Sequence, residues 1–130
     1  MEAGETLMAA VLVVEDNEAL RKLVIMLLEQ KGHQVLSASN GLEGLMVYTS
    51  YRARVDLVLT DIDMPQMDGI QLAGRIRAQD PARKIVFMSG RAAENPGGLG
   101  NSPVLSKPFS PDKLFSMIED VLKAQSEPVR

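Results

Sequence analysis

The chain has 130 residues, 45% of them hydrophobic, which is enough for one ordinary domain with a real core. Its formal net charge of −3 is too mild for a nucleic-acid or membrane-surface binder. With no cysteine and one histidine, a disulfide scaffold, a thiolate metal site and a multi-histidine metal site are all excluded.

Residues 1–8 read as a loose lead-in with Glu2 and Glu5 and no basic residue, unlike a signal peptide. The longest apolar run, Leu7 to Val14, is far too short to span a bilayer, so a cytoplasmic domain is expected. Ala9 to Val14 has the dense apolar character of a strand buried on both faces. Asn17 is placed to cap a helix in which Leu20, Leu23, Val24, Leu27 and Leu28 fall at helical spacing, and Gly32 stops it. His33 to Ser39 alternates weakly and reads as a second strand, with His33 in solvent beside the turn. Asn40 caps a second helix running to about Arg52.

Val55 to Thr60 is a third strand, stopped by Met64-Pro65. Asp68-Gly69 reads as a turn with Asp68 capping the next helix, marked by Ile70, Ala73 and Ile76 and ended by Asp80-Pro81. Met64, Met67 and Met88 read as packing residues. Lys84 to Met88 is a fourth strand. Residues 91–103 carry three glycines and two prolines, too many for a continuous helix. Val104 to Ser106 is a short fifth strand. Ser110, Pro111 and Asp112 start a last helix with an apolar stripe of Leu114, Phe115, Ile118, Val121 and Leu122, before a polar tail at 125–130.

Alternating strands and helices imply an α/β fold, a doubly wound parallel sheet covered on both faces. In such sheets the site lies beyond the carboxyl ends of the strands. There stand Glu15 and Asp16, Asp61, Ser89 with Gly90, and Lys107 with Pro108. Each alone can be an ordinary polar strand end, but the set has chemical sense. Two carboxylates about 4 Å apart repel by roughly 4 kcal/mol at an effective dielectric of about 20, so clustered acids call for protonation or a cation. Oxygen-only ligands suit a hard ion, Mg²⁺ foremost. Lys107 and Ser89 can hold phosphoryl oxygens, and a carboxylate nucleophile here would form an aspartyl-phosphate.

The segments VLVVEDN, LVLTDIDMPQMDG, IVFMSG and VLSKPF, in that order, resemble the receiver domain of two-component response regulators over about residues 9–124. The resemblance implies a flavodoxin-like (CheY-like) five-stranded fold that takes a phosphoryl group from a phosphohistidine on a histidine kinase or histidine phosphotransfer partner. Matching positions make Asp61 the phosphoacceptor, Ser89 the switch hydroxyl and Lys107 the phosphoryl-binding lysine. Mg²⁺ would be held by Asp16, Asp61 and the main-chain carbonyl of Asp63, with Glu15 assisting through water. Lys107–Pro108 would be cis. Such a domain is a signalling module with self-phosphorylation and autodephosphorylation chemistry, without membrane insertion or direct nucleic-acid binding.

Three departures from the family pattern stand out. Val104 replaces a frequent aromatic three positions before the lysine. The segment between Ser89 and Lys107 is about a helical turn short, so a shortened or irregular fourth helix is expected, with a lesser role for that face in output. Asp63 and Arg91 are positioned to affect access of water to the phosphorylated aspartate. Receivers attached to hybrid sensor kinases often look like this. Two alternatives are a haloacid-dehalogenase-like phosphatase, from Asp61-Ile62-Asp63, and a pseudo-receiver that works without phosphorylation.

Overall fold

The computed structural model describes residues 8–90 and 102–124. The segment 91–101, where the short fourth helix is expected, lies outside the described residues, as do the first seven residues and the tail from 125. The chain runs β1 (Ala10–Val14), α1 (Glu18–Gln30), β2 (Gln34–Ala38), α2 (Gly41–Tyr51), a 3₁₀ turn (Arg52–Arg54), β3 (Leu57–Asp61), α3 (Gly69–Gln79), β4 (Lys84–Ser89), β5 (Val104–Ser106) and α4 (Pro111–Lys123).

All five strands pair in parallel, in the order β2-β1-β3-β4-β5. Because side chains alternate along a strand, β1 feeds two cores at once. Leu12 and Val14 join Val58, Phe87, Tyr48, Leu72 and Ile76 on the side of α2 and α3. Val11 and Val13 join Leu57, Leu59, Val86, Val24, Leu28, Leu114 and Ile118 on the side of α1 and α4. The three central strands are therefore continuous apolar runs, and their ends are the first places where polar groups can stand.

Each helix starts on a side-chain cap that the sequence displays. Asn17, Asn40 and Ser110 accept the N–H of the third residue beyond them, and Asp68 forms a reciprocal capping box with Gln71. Gly32 takes φ +92° after α1, a conformation glycine adopts at no steric cost.

Three details differ from the sequence expectation. First, β3 begins at Leu57 rather than Val55. The 3₁₀ turn takes the Val55 N–H onto the Arg52 carbonyl (3.3 Å), and Asp56 turns its carboxylate onto the Ala10 N–H (2.8 Å). Second, Asp61 and Ser89 are the last residues of β3 and β4, inside the ladder rather than after it. Third, His33 is not in solvent. It is 7% exposed, and its Nδ1 accepts the Ala9 N–H at 3.1 Å, tying the start of β2 to the start of β1. Polar residues next to glycine usually face water, but here parallel pairing of the two strand starts closes over the ring.

Candidate functional site

The strand order reverses at β1: the chain goes from β1 to its neighbour β2 on one side, then to β3 on the other. A crevice is expected at the carboxyl ends of β1 and β3, because their following loops part there. Glu15 and Asp16 leave β1 at this point, and Asp61 ends β3. One carboxylate oxygen from each of Glu15, Asp16 and Asp61 can be chosen so that all three lie within 4.8 Å of one another. Glu15 is 1% and Asp61 4% exposed, whereas Asp16 faces outward.

Lys107 reaches this group from across the sheet. Its Nζ lies 2.9 Å from Glu15 Oε1 and 3.2 Å from Asp61 Oδ1. The Lys107 N–H donates to the Ser89 carbonyl at 2.8 Å, so the lysine is fixed to the end of β4. The Lys107–Pro108 bond is cis, as expected. Ser89 is buried at the carboxyl end of β4, opposite Ser106 of β5. Asp63 is exposed, two residues beyond β3. Between Asp61 and α3 the chain is pinned by its apolar residues: Ile62, Met64 and Met67 are buried in the α2–α3 core. The methionines thus act as anchors for the loop.

Burial pushes the Asp61 carboxyl above its ordinary range; Lys107 opposes this, and the neighbouring Asp16 and Asp63 charges reinforce it. Glu15 is also raised, again by burial first, against the lowering effect of the Asn17 N–H and Lys107. Burial pulls the Lys107 ammonium down, but the Glu15 hydrogen bond and the charges of Asp61 and Glu15 together hold it above its usual value. Lys107 therefore offsets only part of the cost of two buried acids. A further cation fits this deficit, and an all-oxygen donor set suits a hard one such as Mg²⁺.

Some residues around the site were not singled out in the sequence. The Asn17 N–H donates to Glu15 Oε2 at 3.0 Å, and Arg21 Nη1 donates to the Glu15 carbonyl at 2.9 Å. Arg21 sits in α1 among other polar residues, and nothing in its spacing marks it. Gly69 packs directly on the Asp61 carbonyl, where any Cβ would collide with it and come within 2.9 Å of the Ile62 Cα. The Asp-Gly pair did signal a turn, but not this close approach.

The family model for the response regulator receiver domain matches residues 11–119. The chain belongs to this family. It is a phosphoacceptor receiver domain of two-component signalling. Over 121 residues it is 35% identical to the sensor kinase CckA of Brucella abortus, covering 90% of this chain and 13% of that protein. It is 38% identical over 122 residues to the response regulator receiver protein CpdR of Brucella abortus, covering 90% of this chain and 99% of that one. A solved receiver fold, the response regulator TrrA of Thermotoga maritima in complex with Mg²⁺ and BeF, superimposes with a TM-score of 0.80 at 28% identity, covering 88% of this chain and 99% of that one. Receivers thus occur both inside long sensor kinases and as whole proteins. The phosphatase alternative is not favoured by the family match, nor is the pseudo-receiver.

The receiver's described residues include no helix long and apolar enough to cross a membrane. The acidic crevice is compatible with the Mg²⁺ that receivers bind.

Proposed function

We propose that Asp61 is the phosphoacceptor of this receiver and that its partner is a cytoplasmic histidine kinase or histidine phosphotransfer domain. The observation that supports this most is the placement of a buried carboxylate at the end of β3, 3.2 Å from the Lys107 ammonium and within 4.8 Å of two further acids. Phosphoryl transfer needs chiefly positioning and neutralisation of spread negative charge, and these groups supply both.

In the proposed step an Asp61 carboxylate oxygen attacks the phosphorus of a phosphohistidine in line. An O–P bond forms, the P–N bond breaks, and its electron pair returns to the imidazole nitrogen. Lys107 pairs with one phosphoryl oxygen, exchanging part of its present contact with Asp61 for the product. Ser89, at the end of the adjacent strand, donates its hydroxyl to another. Mg²⁺, held by Asp16, Asp61 and the Asp63 carbonyl with Glu15 acting through water, would supply charge neutralisation at the phosphoryl oxygens. Attack of water on the same phosphorus reverses the modification, giving autodephosphorylation, and a small acyl phosphate can replace the phosphohistidine as donor.

Labelling with acetyl phosphate, with and without Mg²⁺, tests this by mass spectrometry. The wild type is expected to gain one phosphoryl group at Asp61 only when Mg²⁺ is present, and Asp61→Asn to gain none. Label at another residue, or equal labelling of Asp61→Asn, would overturn the assignment.

A further inference from the structure

We propose that Arg21 is a positioning residue for the metal-binding acids: by holding the Glu15 carbonyl it orients the peptide from which both Glu15 and Asp16 project. The inference rests on the site assignment above and names a part of it outside the strand-end residues.

Arg21 lies in the first turn of α1, and side chains there lean back toward the helix start. Its guanidinium passes the cap and meets the Glu15 carbonyl at 2.9 Å. That carbonyl stands beyond the β1–β3 ladder, whose register ends at Val14 and Thr60. The other polar groups of Glu15 are engaged as well. Its N–H donates to the Ala38 carbonyl (3.2 Å), Oε2 accepts the Asn17 N–H (3.0 Å), and Oε1 accepts Lys107 (2.9 Å). Arg21 thus completes the fixing of a residue that is 1% exposed.

The Glu15 carbonyl and the Asp16 N–H belong to one planar peptide unit. Fixing its plane fixes the positions of the two Cα atoms at its ends and so restricts where the two side chains can depart. One leads to the buried acid that meets Lys107, the other to the exposed acid Asp16. Hydrogen bonds behind the ligands that orient metal-binding groups commonly control affinity.

A purely local role for Arg21 explains less. A cation in the first turn gains nothing from the helix dipole, which favours anions there. Its charge lowers the Glu18 and Glu43 carboxyls, which lie outside the acid trio, whereas the charges acting on Glu15 come from Asp61 and Lys107, and those acting on Asp61 from Lys107, Asp16 and Asp63. Orientation of the peptide, rather than added positive charge, is the contribution the geometry assigns to Arg21.

Arg21→Met keeps an unbranched, helix-compatible stem and removes the donors; Arg21→Lys keeps one cationic donor. Mg²⁺ and Ca²⁺ affinities are to be measured by calorimetry on the full chain, beside urea unfolding and acetyl-phosphate labelling. Mg²⁺ demands near-octahedral ligands, whereas Ca²⁺ accepts irregular sets. Arg21→Met is expected to weaken Mg²⁺ binding by about 10- to 100-fold, to weaken Ca²⁺ binding less, and to leave the urea midpoint nearly unchanged, with Arg21→Lys in between. Wild-type Mg²⁺ affinity in Arg21→Met would overturn the proposal, as would equal losses for both ions together with a lowered urea midpoint. If Arg21→Met does not fold, Arg21→Lys decides: a reduced preference for Mg²⁺ over Ca²⁺ supports the proposal, and an unchanged preference overturns it. The wild-type arm separates the two levels, because failure of the wild type to bind Mg²⁺ and take up label removes the site assignment itself.

Discussion

Three acids in the stretch from Asp61 to Asp68 have the same chemistry and different surroundings. Asp61 is buried at a strand end, Asp63 is exposed beyond it, and Asp68 caps α3. Burial sets the pH behaviour of the first. The folded-state carboxyls of Glu15 and Asp61 are raised above their ordinary values, with burial the largest cause in both. A raised folded value means that the folded state holds the proton more tightly than the unfolded chain. This stability is therefore present below the ordinary carboxylate range and is lost as pH rises through the raised values. In Mg²⁺-free urea titrations, Asp61→Asn should flatten this decline and be more stable than wild type at neutral pH. A variant less stable than wild type there would show that the carboxylate is a net structural asset. His33 has the opposite sign, because burial lowers it and its Nδ1 must stay unprotonated to accept the Ala9 N–H. Its contribution is present above the ordinary histidine range and is lost as pH falls through the lowered value. At Gly69 a single added methyl has no room. Gly69→Ala forces the Asp61 carbonyl and Ile62 apart from α3 and should cost about 1–3 kcal/mol by urea unfolding while reducing Asp61 labelling.

At the scale of elements, the four α-helices among the described residues and their caps were legible because capping and amphipathic spacing are interactions within one or two turns. Asn17, Asn40, Asp68 and Ser110 announce their helices by residue type alone, and all four accept the expected N–H. The start of β3 was misplaced because Val55 has strand character while the preceding 3₁₀ turn claims its N–H. Asp80 read only as a terminator of α3. In the structure it accepts the buried Tyr48 hydroxyl and pairs with Arg52 at 2.9 Å, joining the end of α2 to the end of α3. Glycines inside helices also divide by surroundings. Nothing lies within 4 Å of a Cβ added at Gly74 in α3, whereas one at Gly44 in α2 would sit 3.0 Å from Val14. Gly74→Ala should therefore raise stability by about 1 kcal/mol through helix propensity, read as a higher urea midpoint. Gly44→Ala, pressed onto the sheet, should not share that gain. Equal responses of the two variants would mean that packing of α2 on β1 is looser than described.

For the whole molecule, the central consequence is that one ion can report on folding. The acids come from the ends of two strands, so a cation bound there stabilises the folded chain alone. Mg²⁺ at about 100 times its dissociation constant should add roughly 2.7 kcal/mol to unfolding, measured as a shift of the urea midpoint, and Asp16→Asn should abolish most of that shift. A full shift in the variant would place the ion elsewhere. The sequence by itself determined the alternation of strands and helices, the caps, and which residue types stand at the strand ends. These follow from periodicity and local hydrogen bonding, which are written within a few residues. Tertiary structure decided what those residues meet. Lys107 joins Glu15 across 92 positions, Arg21 turns back onto the Glu15 carbonyl, Gly69 presses on Asp61, and His33 is enclosed. The contact of Lys107 and the enclosure of His33 depend on the strand order β2-β1-β3-β4-β5, because residues far apart in the chain meet only after the sheet has brought their strand ends together, whereas Arg21 and Gly69 depend on how the helix after each strand settles back onto the strand end.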